Sequence, residues 1–544
     1  MPTTTGAAPT VSPTTPPKDS AEPADVAALR EELDALVTGH VGETTPGAMV
    51  AVVGVDGPLL TETWGLADPS AEVPLTPESR TPVASVSKVV TALTALTLHH
   101  EGLLDLDADI RDYLPVDDER AVPEPVTGRH LLTHHSGIVE SLLFHPEPID
   151  EPYTGTLTDA LEEHPPTLEL PGVGLHYSPM QAYALLGAAI EQATGATFDE
   201  AVERWVLHPV GATTADFHGP GTAPGDVALA TRDGDEWSPT EWPSVIERPA
   251  ASLTWSATDA AALLHALLDP AAGALPAEVV EEALATQVRP NHGAGGHTQV
   301  FFEEWREDVR VLEHAGANGL AWLAVVPAAG IGVFTAVTTE DADAAPLTTE
   351  VLDTVAAWTT RVNLTGRNPL VQGGLPAVEP DWAAAAEPVA PVGTFHERLF
   401  GPRGPELPLR SLISQVTVRQ DGADLLLGDR RFAPADTEGR WCDNTGCIAG
   451  ARAADGTVLL LRGERGMLEQ TLVPAPWWAN LWFVTAAVAG TLVLALVAVA
   501  GAVRAGWRRR RDRPVAGAVS RPTAVAWSVA ALALVVATPL LTVS

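Results

Sequence analysis

The sequence predicts an α/β chain of the α+β kind, in which one antiparallel sheet is flanked by helices and an all-α lobe is inserted between its early and late strands. Apolar stretches at Ala48 to Val53 and Leu59 to Trp64 flank Asp56-Gly57-Pro58, a hairpin signature near the start of the chain. Strand signals return only late, where Val309 to His314 alternates and Leu320 to Val326 with Ile331 to Val337 forms a second hairpin around Pro327 to Gly330. Between them, from Leu103 to about Leu268, the pattern is helices and long loops. Early and late strands pair most economically in one sheet, which leaves a groove between sheet and lobe.

Taken in order, residues 1–22 form a Thr/Pro-rich tail without the apolar residues a fold needs. A first folding unit is expected over 23–362. It opens with Val26, Leu29, Leu33 and Leu36 at helical spacing. After Ser85, the residues Val86, Val89, Val90, Leu93 and Leu96 mark one face of a helix that stops at Gly102. Residues 363–391 carry Pro369, Gly373, Gly374, Pro376, Pro380 and an alanine run, the composition of a linker. A small β domain is expected over 392–473 from short segments such as Gln415 to Val418, Leu425 to Leu427 and Val458 to Leu461, spaced by Asp-Gly turns.

Residues 474–544 read as a membrane anchor. The apolar runs 481–503 and 523–543 are each long enough to cross a bilayer, and Trp477, Trp478 and Trp482 sit at the edge of the first. Between them lie Arg504, Arg508, Arg509, Arg510, Arg511, Arg513 and Arg521, with Asp512 the sole acid. By the positive-inside rule this loop is cytoplasmic, which places both ends of the chain outside and makes it a multi-pass protein of the cell membrane with its large domain extracytoplasmic. Met1 to Ser20 holds no apolar export signal, so either the start lies upstream of Met1, the preferred reading, or the topology is inverted.

A formal net charge of -38 excludes nucleic acid as a partner, because a polyanion would be repelled. Cys442 and Cys447 bracket a loop rich in turn formers. Outside the cytoplasm they suit a disulfide; two free thiols is the other reading. His99-His100 and His134-His135 lack the spaced partners of a metal site and are expected to be structural or on the surface. No metal or cofactor is implied.

The chemistry gathers at Thr81-Pro82-Val83-Ala84-Ser85-Val86-Ser87-Lys88. A serine three residues before a lysine on a helix is a common accident, since both merely share a face. The chain, however, has only two lysines, Lys18 in the tail and Lys88 here, and uses arginine for its other positive side chains. An ammonium can lose its proton and a guanidinium cannot. A partly desolvated lysine can therefore activate a serine hydroxyl, and the helix N-terminus aims backbone amides at the charge that develops.

These residues, with Glu101-Gly102-Leu103-Leu104-Asp105-Leu106-Asp107 and then His130-Leu131-Leu132-Thr133-His134-His135-Ser136-Gly137, resemble the β-lactamase-related serine hydrolases. That group includes class C β-lactamases, D-alanyl-D-alanine carboxypeptidases and esterases. The resemblance runs from about Asp25 to Thr360 and implies a β-lactamase/transpeptidase-like fold. It also implies that Tyr177, in His176-Tyr177-Ser178-Pro179, is the tyrosine of the family's Tyr-x-Asn motif, which accepts or relays the nucleophile's proton. Pro179 stands where the family has asparagine, which removes a side-chain amide near the substrate. Glu313-His314-Ala315-Gly316-Ala317 matches the third motif. There His314 would supply a donor or partial positive charge, Gly316 would leave room for substrate, and the amides of Ser85 and Ala317 would form the oxyanion hole.

The expectation is a serine hydrolase working through an acyl-enzyme at Ser85, with Lys88 and Tyr177 sharing the proton work. Its substrate would be a small molecule or peptide: an ester, a D-amino-acid peptide or a cell-wall-derived compound, with Pro179 tilting toward esters. The alternative is a non-catalytic, penicillin-binding-like wall-binding or sensor protein that keeps the pocket without turnover.

Overall fold

A computed structural model of the chain describes residues 24–113, 125–139, 155–163, 167–168, 177, 180–218, 226–234, 236–240, 242, 245–288, 296–306, 309–362, 364, 387–397, 415–435, 440–443, 446–452, 458–464 and 467–474, with 497, 500, 501, 504 and 507 as separate helical positions.

Early and late strands meet in one sheet, as the hairpin signals require. Its seven strands are antiparallel and lie side by side in the order Phe302–Arg306, Val309–Ala315, Ala321–Val326, Ile331–Val337, Gly47–Gly54, Gly57–Asp68 and Val73–Pro74. Gly47–Gly54 is the junction between the two sets of strands: Ala48 faces Val337 on one side and Trp64 on the other. All eight of its residues are buried, so the strand needs cover on both faces. The helices Ala24–Thr38 and Ala345–Arg361 pack on the sheet together, and Ala257–Leu268 packs on it as well. In the first helix Val26, Leu29, Leu33 and Val37 are buried, so the expected stripe holds at its first three positions and ends on Val37, with Leu36 only partly buried.

Three features differ from the sequence reading. The edge strand Phe302–Arg306 was not expected, because its Glu303 and Arg306 break the apolar pattern. Glu303 is buried there with Arg310 Nε donating to it at 2.7 Å and Thr286 adding a hydroxyl. Next, the lobe is not all-α. It carries the short sheets Thr81–Pro82 with Thr254–Trp255, Ile138–Val139 with Thr167–Leu168, and the hairpin Ala230–Asp233 with Glu236–Pro239. Two-residue strands leave no period to read. Finally, the helix Ser87–His100 is buried all round from Ser87 to Leu98 rather than on one face. Its interior threonines avoid a desolvation penalty by donating to carbonyls: Thr94 to Val90 at 2.8 Å, Thr97 to Leu93 at 2.8 Å and Thr91 to Pro249 at 2.7 Å.

The C-terminal β region is a curled sheet that closes. From Gly393–Glu397 through Gln415–Asp421, Asp424–Leu427, Arg430–Pro434, Arg440–Cys442, Gly446–Arg452, Val458–Glu464 and Met467–Pro474, each strand pairs antiparallel with the next. Met467–Pro474 then pairs back onto Gly393–Glu397 and leaves this ring without an open edge. Phe395, Val418, Leu425, Phe432, Ile448, Leu460 and Leu472 form its apolar core. One further strand, Glu387–Pro388, pairs with Gly446–Arg452, so ordered pairing starts ahead of the expected boundary at residue 392. Cys442 and Cys447 form the disulfide, across a register pair of adjacent strands.

Both expected membrane spans and the Arg-rich loop lie outside the described residues, apart from the separate helical positions named above; so do the tail and most of the linker. Among the described residues no helix is long and apolar enough to cross a membrane.

Candidate active site

The turn that presents Ser85 is held at several points. Val83 donates its N–H to Leu253 O at 3.1 Å, and Ala84 then adopts a left-handed φ of +47° inside the 3-10 turn Ala84–Val86. A residue with a Cβ avoids that region at a cost of about 1–3 kcal/mol, so the surroundings must enforce it. Ser87, fully buried, does so: its hydroxyl donates to Ala84 O at 2.5 Å and accepts from Leu253 N at 2.9 Å. Ser85 is thereby lifted to the start of the helix Ser87–His100, half-buried, on a turn that packs against the strands Val309–Ala315 and Ala321–Val326.

One helical turn on, Lys88 Nζ lies 3.0 Å from Ser85 Oγ and 3.1 Å from Ala250 O. Its side chain is enclosed at 1% exposure, with Nζ 5.0 Å from the ring centre of Tyr177 and 5.3 Å from that of Tyr183. Burial pushes the Tyr177 hydroxyl well above its ordinary pKa, and the hydrogen bond with Ser85 pulls partly against that shift. Tyr177 therefore rests as a neutral phenol in touch with the nucleophile. Tyr183, fully buried, is shifted the same way by burial and by Tyr177.

His314 arrives on the strand Val309–Ala315, but not in the expected state. Burial first, then the nearby Lys88 charge, push its pKa down to about 3, against the hydrogen bond from its Nδ1 to Ala315 O, which works the other way. Its ring is neutral, so of the donor or partial positive charge that the resemblance implied it carries no full positive charge. Gly316 follows because nothing larger fits: a Cβ there would stand 2.7 Å from Val83 O, the carbonyl two residues before Ser85. Ala317 opens the next 3-10 turn and is exposed. Ser178 and Pro179 lie outside the described residues.

The fold adds four residues to these. His134, expected to be structural or on the surface, is buried, holds a left-handed φ of +59° and stacks on Tyr177 with ring centres 5.1 Å apart. His297 meets His134 edge-on at 4.7 Å, and Phe302 lies 5.6 Å from His134 on a near-parallel plane. Tyr183 stands 6.2 Å from the same imidazole. The quoted motif His130 to Gly137 was the available signal for His134. Tyr183 sits on the apolar helix that follows Tyr177, where it reads as core. His297 and Phe302 had no signal, since only the fold brings their loop and edge strand to this place. Among the described residues no cluster of His, Cys, Asp or Glu could hold a metal ion.

Burial sets a common charge state. His135, His297 and His314 are pushed down to about 4, 3 and 3, and His134 well below its usual 6.5, in each case by desolvation first. Below pH 6.5 the unfolded chain takes up protons that the native rings refuse, so stability falls with pH from 6.5 toward these values. Each ring contributes at most about 1.4 kcal/mol per pH unit. We expect the unfolding temperature to be level between pH 7.5 and 6.5 and to drop between 6.5 and 5.0, above the range where unperturbed carboxylates titrate. Calorimetry showing a level or rising value between 6.5 and 5.0 would contradict these assignments.

An antiparallel sheet flanked by helices, a serine on a strained turn and a buried lysine at hydrogen-bond distance define a β-lactamase/transpeptidase-like α/β protein. The chain belongs to the Beta-lactamase family, whose profile matches residues 33–356. It is 33% identical over 211 residues to Esterase EstB of Burkholderia gladioli, covering 36% of this chain and 53% of that protein. It is 31% identical over 194 residues to Penicillin-binding protein 4 of Amycolatopsis lactamdurans, covering 35% and 48%. The chain thus matches about half the length of these curated relatives. An octameric penicillin-binding protein homologue from Pyrococcus abyssi shares the fold, with a TM-score of 0.53 at 18% identity over 81% of this chain and 99% of that one. The SurE structure scores 0.53 at 22% identity over 82% and 93%.

Proposed function

We propose that this protein is a serine hydrolase that cleaves an acyl bond through an acyl-enzyme at Ser85. The 3.0 Å contact between Ser85 Oγ and the enclosed Lys88 Nζ carries the reading. Lys88 in its neutral form takes the serine proton as Oγ adds to the acyl carbonyl. Tyr177 is the less suitable base, because burial disfavours its phenolate; it relays the proton to the leaving group. The tetrahedral intermediate, held by the amides of Ser85 and Ala317, expels an alcohol or amine that carries this proton away. Water then attacks the acyl-enzyme, releases the acid and returns the proton to Oγ.

Among substrates we favour uncharged esters over D-amino-acid peptides, cell-wall-derived compounds and β-lactams, since neutral His314 offers no cation for an anionic group. Esterase EstB among the relatives supports this choice. We further place the hydrolase outside the cytoplasm, anchored through 481–503 and 523–543, on the hydropathy and arginine pattern of those segments. Ser85→Ala is expected to remove hydrolysis of p-nitrophenyl esters and labelling by a fluorophosphonate. Labelling that persists in Ser85→Ala, or is absent from the wild type, would refute the assignment and leave a non-catalytic binding protein.

A further inference from the structure

His314 and His297 flank Phe302, their ring centres 4.9 Å and 4.8 Å from that of the phenyl ring. Both imidazoles are 1% exposed. Nδ1 of His314 is bound to Ala315 O at 3.1 Å and Nδ1 of His297 to Thr298 O. A carbonyl oxygen only accepts, so in each neutral ring Nδ1 carries the proton and Nε2 is a bare lone pair. Neither Nε2 has a hydrogen-bond partner among the described residues. A buried acceptor left in that condition costs about 1–3 kcal/mol, which a ligand recovers by bringing a donor.

The position of these lone pairs ties them to the nucleophile. His314 packs against Tyr177 at 6.4 Å between ring centres, and Tyr177 is hydrogen-bonded with Ser85. Two residues further, Gly316 lies against Val83 O at the base of the Ser85 turn. The surroundings restrict the donor. An ammonium would have to give up its water in this enclosed place, and would repel Lys88 whenever that side chain is protonated. A carboxylate would set its lone pairs against those of the imidazole in a place with little water to separate them. An uncharged O–H or N–H meets neither penalty, and Phe302, Tyr177 and the stacked His134 give the rest of such a group apolar walls.

We propose that His314, with His297 beside it, forms an acceptor subsite for an uncharged hydroxyl or amide N–H on the acyl group bound at Ser85, and that it disfavours acyl groups carrying a carboxylate at that place. The proposal rests on the serine hydrolase reading. It is tested with the full-length protein and matched p-nitrophenyl esters of butyrate, 2-hydroxybutyrate, 3-hydroxybutyrate and succinate, read as ratios of kcat/KM so that a partial loss of folded enzyme cancels. At least one hydroxy ester should exceed butyrate by roughly threefold to tenfold, the worth of one net hydrogen bond, and the succinate ester should fall below butyrate. In His314→Leu the hydroxyl advantage should vanish, while His314→Gln, whose amide oxygen still accepts, should keep part of it. No hydroxyl advantage in the wild type, an advantage unchanged in His314→Leu, or a preference for succinate would overturn the subsite. Failure of all four esters in a Ser85-dependent assay would instead count against the hydrolase reading. In that event calorimetric binding of 3-hydroxybutyramide and succinamate to Ser85→Ala decides the subsite alone: tighter hydroxyamide supports it, and equal or weaker hydroxyamide overturns it.

Discussion

Lys88→Arg should lower kcat/KM for ester hydrolysis by about three orders of magnitude, equivalent to about 4 kcal/mol of transition-state stabilisation. Charge is retained in this variant and basicity is not, because a guanidinium stays protonated at any pH the protein tolerates. If Lys88 served only as a counter-charge that holds Ser85 in place, arginine would be a tolerable replacement; if it must accept the serine proton, arginine is close to inert. Shape acts in the same direction. The slot is closed by the rings of Tyr177 and Tyr183 and by Ala250 O, and it admits a straight ammonium chain rather than a planar fork. Steady-state kinetics, with circular dichroism to confirm folding, check the expectation. Activity within tenfold of wild type in Lys88→Arg would remove Lys88 from the role of base.

The parts of this site that were readable in the sequence are those joined by short chain separation. Ser85 and Lys88 share a face because they are one helical turn apart, and a chain with only two lysines draws attention to the pair. Tyr177 and His314 could be chosen only through the order of motifs in the resembling family, since nothing local marks either one. Even then the charge state of His314 was not legible, because it depends on burial and on Lys88, which the spacing of residues does not report. His134, His297, Phe302 and Tyr183 were not singled out for a related reason. They become neighbours only when the lobe, a loop and an edge strand close on one another.

The fold shows the same division. Both hairpins of the central sheet were readable because a turn signal lies between two apolar runs, and their joining along Gly47–Gly54 follows from a strand too apolar to tolerate an open face. Phe302–Arg306 was not, because its glutamate is neutralised by an arginine on the neighbouring strand. In the C-terminal region individual strands could be placed, but closure could not. It depends on the pairing of Phe395 with Pro474 and His396 with Val473, residues far apart in the chain. The helix Ser87–His100 is a milder case: one apolar face was readable, while burial of the rest depends on the carbonyls that satisfy its threonines.

Gly316→Ala should disturb stability and catalysis together, and so tests whether the third strand motif supports the nucleophile. The glycine φ is -82°, open to any residue, so backbone conformation does not demand a glycine here. Space does. The added methyl would meet Val83 O at 2.7 Å and Ala321 N and O at 3.3 Å, all backbone atoms that cannot rotate aside. Relief requires the strand Val309–Ala315 and the Ser85 turn to move apart, at about 1–3 kcal/mol for overpacking of this kind. That movement also shifts Ser85 relative to the amide of Ala317, so kcat should fall by roughly tenfold to a hundredfold. Gly54→Ala is the matched control. Its methyl would rest at 3.5 Å on the Leu59 side chain, an ordinary contact, and should alter stability by under about 1 kcal/mol with kcat unchanged. Equal unfolding temperatures and equal kcat for Gly316→Ala and wild type would mean that the strand and the turn are not packed as tightly as the 2.7 Å approach requires.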